Sequence, residues 1–132
     1  MRSPALPPSA RLGAFTALAA LTLVALPPAE RTAQAAEFDG RWSVVVVTDK
    51  GTCDRAYRYE VKVERGRVDY VGDAAIDFAG KVSLAGAVHV DLGKGQATAR
   101  ATGKLGRNAG AGTWTGVSGS GACSGRWEAE RR

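Results

Sequence analysis

The sequence predicts an all-β fold: a single small antiparallel meander barrel of about eight short strands, with a two-sheet sandwich as the alternative. Three observations carry this. Apolar and polar residues alternate with period two over most of the chain from Ala36 onward, the pattern of strands with one wet face. Glycine-rich turns separate the alternating segments. No helical periodicity emerges there, and sixteen glycines in those 97 residues would weaken any helix. The barrel is preferred because closure removes exposed strand edges, and short turns let successive strands pair in order.

Trp42–Thr48 contains Val44-Val45-Val46-Val47, β-branched and apolar on both faces, so this strand is expected to be covered on both sides or to lie at a barrel seam. Tyr57–Glu64 is the clearest strand: Tyr57, Tyr59, Val61 and Val63 share one face, and every residue between them is charged. Arg65-Gly66-Arg67 turns it into Val68-Asp69-Tyr70-Val71, completing a hairpin. Ala75–Ala79, Lys81–Leu84 and Ala87–Leu92 follow, divided by Gly80 and Gly86. After Lys94-Gly95 comes Gln96–Leu105, where Ala97, Ala99 and Ala101 would relieve crowding as a narrow barrel tapers. The glycine-rich stretch Gly103–Gly112 is read as hairpin turns, ahead of a strand over Thr113–Val117. In the last strand, Ala122–Ala129, Cys123, Gly125, Trp127 and Ala129 share the inward face.

Residues 1–35 read as a secretory leader. Arg2 and Arg11 supply a positive start, Leu12–Leu26 is uncharged and largely apolar, and Ala33-Gln34-Ala35 offers the small-x-small cleavage pattern. The apolar run is short of the roughly 20 residues that cross a bilayer, and no second run follows. The mature protein is therefore expected to be residues 36–132, one domain, periplasmic or secreted, with no transmembrane segment and monomeric.

The chain carries a net charge of +5, which falls to +3 once Arg2, Arg11, Arg31 and Glu30 leave with the leader. The remaining charges are interspersed, as in Glu60-Lys62-Glu64-Arg65, so a solvated surface is expected and no nucleic-acid partner. A domain this small is marginal without a staple. Cys53 and Cys123, alone in an exported chain, form the one possible pair. A bridge across their 70 positions would constrain the unfolded chain by about 4 kcal/mol.

Little in the sequence could carry catalysis, so no catalytic residue, metal or cofactor is assigned. His89, flanked by Val88 and Val90, is expected to face solvent with Asp91. Asp69, Asp73 and Asp77 lack a calcium-loop pattern, and Gly103-Lys104-Leu105 lacks the Walker ending. Haem attachment through Cys-x-x-Cys-His is absent. The aromatics remain. Trp42, Tyr57, Tyr59, Trp114 and Trp127 are candidates either for core packing or for lining a ligand cavity, and a filled interior is the expectation for so short a chain.

Phe38-Asp39-Gly40-Arg41-Trp42, Gly51–Tyr59 and the closing Cys123-Ser124-Gly125-Arg126-Trp127-Glu128-Ala129-Glu130-Arg131-Arg132 resemble a group of small exported alphaproteobacterial proteins of unknown function, sometimes labelled haem-utilisation proteins or large exoproteins. Gly40-Arg41-Trp42 followed by Cys53 is also similar to the small periplasmic metalloprotease inhibitors. That resemblance implies a disulfide-bonded β-barrel acting through an N-terminal trunk, of which only Ala36 and Glu37 would precede Phe38 here. The expected function is a non-enzymatic binding module for an unknown small ligand or an envelope or protein partner. A structural or envelope-associated protein without a small ligand, and an inhibitor-like protein, are the alternatives. The leader reading predicts that the exported protein begins at Ala36, which an intact mass of the purified product checks directly.

Overall fold

The computed structural model describes residues 37–132 without a break, together with positions 4, 9, 13, 22–25 and 28; the cleavage site and most of the apolar run of the expected leader lie outside the described residues. Eight strands follow one another: β1 (Gly40–Lys50), β2 (Ala56–Glu64), β3 (Arg67–Val71), β4 (Asp77–Val82), β5 (Ala87–Lys94), β6 (Ala97–Leu105), β7 (Ala109–Ser118) and β8 (Gly121–Arg131). Each pairs antiparallel with the next, and β8 returns to β1, closing a barrel in simple up-and-down order. The sandwich alternative is thereby set aside. The seam is the β1–β8 ladder, running from Trp42↔Arg131 to Lys50↔Ser124 with a bulge between Thr48 and Lys50.

Period-two patterning decides which side of each strand faces in. Across β1 and β2 the pairs Trp42↔Val61, Val44↔Tyr59 and Val46↔Tyr57 set apolar side chains opposite one another. Arg58, Glu60, Lys62 and Glu64 occupy the alternate positions, outside. The outward face of β2 is therefore charged along its length. Among the described residues no helix is long and apolar enough to cross a membrane. The four-valine run lies at the seam: Val45 and Val47 face outward, half-buried, flanked in register by Arg58 and Glu128 and by Ala56 and Arg126. Ion pairs such as Arg41–Glu60 (2.6 Å) and Arg100–Asp91 (2.9 Å) lace the outer surface.

Two readings of glycine need correction, because most of these glycines do not turn the chain. Gly80 is no strand boundary: β4 runs through it, and it pairs with Val68 and Val90. A Cβ there would lie 2.7 Å from that of Val68, so Gly80 serves close approach rather than reversal. Gly103, Gly110 and Gly112 likewise belong to β6 and β7, and the intervening turn shrinks to 106–108. The strands are also longer than expected: β1 and β8 reach 11 residues, running on through charged residues at their ends, Asp49-Lys50 and Glu130-Arg131. A true turn glycine is Gly66 (φ 80°), which with Arg65 (φ 49°) gives the paired left-handed residues of a two-residue hairpin. Asp39 Oδ1 accepts the Arg65 N–H at 2.8 Å and ties the chain's approach to β1 onto this turn.

Cys53 and Cys123 are joined, with Cα atoms 6.1 Å apart, pinning the β1–β2 loop to β8. Replacing Cys53 by Ser is expected to lower unfolding free energy by about 2–4 kcal/mol in urea denaturation; an unchanged midpoint on reduction would show that the bridge is no staple.

Candidate functional site

The two ends of the barrel interior differ. At one end the inward residues of β1, β2, β3, β4, β6 and β8 meet: Trp42, Val63, Val68, Val82, Leu105, Trp127 and Ala129 are all buried, with Phe38 folded against them. Trp42 has no exposed surface, and its indole N–H donates to the Phe38 carbonyl at 2.9 Å, which satisfies its one polar atom. Arg131 stands 4.7 Å over the Trp42 ring. Its guanidinium donates to the backbone carbonyls of Glu37 (2.7 Å), Asp39 (2.6 Å) and Arg107 (2.8 Å). One side chain thus fastens the N-terminal approach and the β6–β7 turn to the last strand, and this end is shut.

Glycine makes room for the tryptophans. The Trp127 indole reaches from β8 across β7 to the Thr102 carbonyl on β6 (3.0 Å). A Cβ at Gly112 would fall 2.6 Å from its Nε1, and one at Gly103 2.5 Å from its ring. Trp114 reaches from β7 across Gly125 of β8 to the Val47 carbonyl beside the seam bulge (3.0 Å). Gly103 and Gly112 thus form a bed for the Trp127 ring, and a Cβ at Gly116 would come within 3.2 Å of the Trp114 ring.

Toward the other end the inward side chains stop meeting. Val44, Val46, Tyr57, Tyr59, Tyr70, Phe78, Leu92, Ala99 and Ala101 are only partly buried, and they surround a cavity of about 540 Å³. This volume lies within the roughly 300–1,000 Å³ of small-molecule sites. The expected filled interior is therefore half right: one end is packed, the other hollow. The ionisable residues that border the cavity, tyrosines aside, are Asp54, Arg58 and Lys94, all exposed at its rim. No polar or charged residue is buried among the described residues.

All five aromatic candidates border this space. Trp42 and Trp127 form its floor, Trp114 closes one flank, and Tyr57 and Tyr59 line the wall of β2. The Tyr57 and Tyr59 rings are stacked with centroids 6.1 Å apart, and Tyr70 meets Tyr59 edge-on at 6.1 Å. Burial, with Tyr57 and Tyr70 nearby, pushes the Tyr59 phenol above its ordinary value, so it is a neutral donor. Tyr70 and Phe78 stand outside the candidate set, although their apolar-parity positions were the signal. So were Ala97, Ala99 and Ala101, whose small side chains leave the void rather than relieve crowding. Arg131 was missed too, being a charged residue on the inward parity of β8.

The strand wall is incomplete between β3 and β4. They pair only at Arg67↔Lys81 and Val68↔Gly80, whereas β4 stays with β5 as far as Asp77↔Gly93. Beyond Val68 the two strands part, and the loop carrying Ala74 and Ile76 borders the cavity there. His89 is exposed on the outer face of β5, 3.2 Å from Asp91 and away from the cavity. Among the described residues no three His, Cys, Asp or Glu side chains come together as metal ligands. No family model, curated protein or solved structure matches the chain.

The Arg100 hydrogen bond, and secondarily the Arg100 charge and His89, hold the Asp91 carboxyl below its usual range. Whatever this contributes to stability is present above the ordinary carboxylate range and is lost as pH falls through the lowered value. In Arg100→Ala the Asp91 titration midpoint, followed by NMR, is expected to rise toward the ordinary carboxylate value.

Proposed function

We propose that this chain is an exported, non-enzymatic binding module that holds a small, mainly apolar ligand inside its barrel. The observation supporting this reading is the cavity itself: about 540 Å³ of apolar-lined space at one end of a barrel whose other end is packed shut. A domain of this size gains stability by filling its interior. Here Ala99 and Ala101 stand at inward positions where larger apolar residues would close the void. Apolar surface kept open to a lumen loses burial that a ligand restores, at roughly 25 cal/mol per Å².

His89 and Asp91 lie outside this cavity, on the exposed face of β5, where Asp91 also accepts from Arg100. Ala101→Leu is expected to fill part of the lumen, keep or raise the melting temperature, and weaken uptake of an apolar fluorescent probe at least tenfold. A probe that binds the variant as well as the parent would place its site elsewhere. Native mass spectrometry of the protein from its producing cell, with a discrete ligand mass lost in the variant, identifies the natural occupant.

A further inference from the structure

The composition of the cavity restricts what it can hold. In a closed ring of eight strands, β2 and β3 stand opposite β6 and β7. The first pair contributes Tyr57, Tyr59 and Tyr70 to the lumen, and the second contributes Ala97, Ala99, Ala101 and Gly116. A wall of phenols thus faces a wall of methyls and backbone, and the open space lies between them. The alanines can offer a ligand only apolar contact. Hydrogen bonding must come from the tyrosine side.

The three phenols are not equivalent. The Tyr57 hydroxyl already accepts the Asp54 N–H at 3.2 Å. That of Tyr70 lies at the rim against Gly72, where a Cβ would fall 2.3 Å from it. Tyr59 is the middle ring of the cluster, in contact with both others. Among the described residues its hydroxyl makes no hydrogen bond with the protein, and it is partly desolvated. A donor so placed favours an acceptor on whatever fills the lumen, because a ligand without one would leave it unmatched. A full charge is disfavoured, since the lumen holds no buried counter-charge and the rim ions Asp54, Arg58 and Lys94 stay in water.

We infer that the cavity takes an uncharged, largely apolar molecule bearing one hydrogen-bond acceptor, with the acceptor against the Tyr59 hydroxyl and the body against the alanine wall of β6. This rests on the reading of the barrel as a binding module. Where β3 and β4 part, beside Tyr70 and Phe78, the wall next to the phenols is completed by the loop carrying Ala74 and Ile76.

Four probes of one shape separate the classes by equilibrium dialysis: acetylnaphthalene (a neutral acceptor), naphthalene (no acceptor), naphthoate (an anion) and naphthylmethylammonium (a cation). The ketone is expected to bind tightest. Tyr59→Phe, which keeps the ring and the fold, should weaken the ketone roughly three- to tenfold while leaving naphthalene unchanged, the loss of one hydrogen bond. Tighter binding of either charged probe, or an equal effect of Tyr59→Phe on ketone and hydrocarbon, would overturn the ligand class and leave the binding reading standing. If none of the four binds the folded, disulfide-intact protein, both fail.

Discussion

β8 returns to pair with β1, and the interior of the molecule depends on that closure. Without the ladder from Trp42↔Arg131 to Lys50↔Ser124, two long strands would present unpaired edges and the lumen would be open along its length. The ladder is fastened at both ends. At the shut end Arg131, over the Trp42 ring, binds three carbonyls from two other segments. At the open end the Cys53–Cys123 bridge ties the β1–β2 loop to β8. The Trp114 N–H reaches the Val47 carbonyl across the seam, beside the bulge. Covalent, charge-assisted and neutral hydrogen bonds thus converge on one strand pair.

Closure also divides the interior into two regimes. Trp42, and Trp127 laid across the glycine backbones of β6 and β7, fill one end; the Trp127 N–H reaches a carbonyl two strands away, so these large rings are buried with their polar atoms satisfied. Where alanines face tyrosines, neither side reaches the other and space remains. The same small residues do opposite things according to what stands opposite them. Gly112 under Trp127 removes a void, whereas Ala99 and Ala101 facing the tyrosine wall leave one.

Much of this was legible in the sequence, and some was not. The alternation Tyr57-Arg58-Tyr59-Glu60-Val61-Lys62-Val63 specifies a half-wet strand, because slipping it by one residue would bury three charges. Similar alternation in β6 and β8, with two cysteines, predicts the barrel and its bridge. The glycines misled because glycine is equally at home in a turn and beneath a ring, and only the residue packed against it distinguishes the two. Gly80, Gly103 and Gly112 therefore read as breaks until Val68 and Trp127 are seen above them. Arg131 escaped notice for a similar reason: its partners are backbone carbonyls, which leave no mark in the sequence.

The sequence alone determined the strand class, the inward and outward sets and the cysteine pair, because each follows from chemistry local to a strand or from a count. Tertiary structure decided which inward residues face one another across the barrel. That depends on the register of eight strands around a closed ring, a relation between residues as distant as Tyr59 and Ala101 that no local pattern encodes. The hollow lies where phenols of β2 and β3 face methyls of β6, and the packed end lies where indoles face glycines.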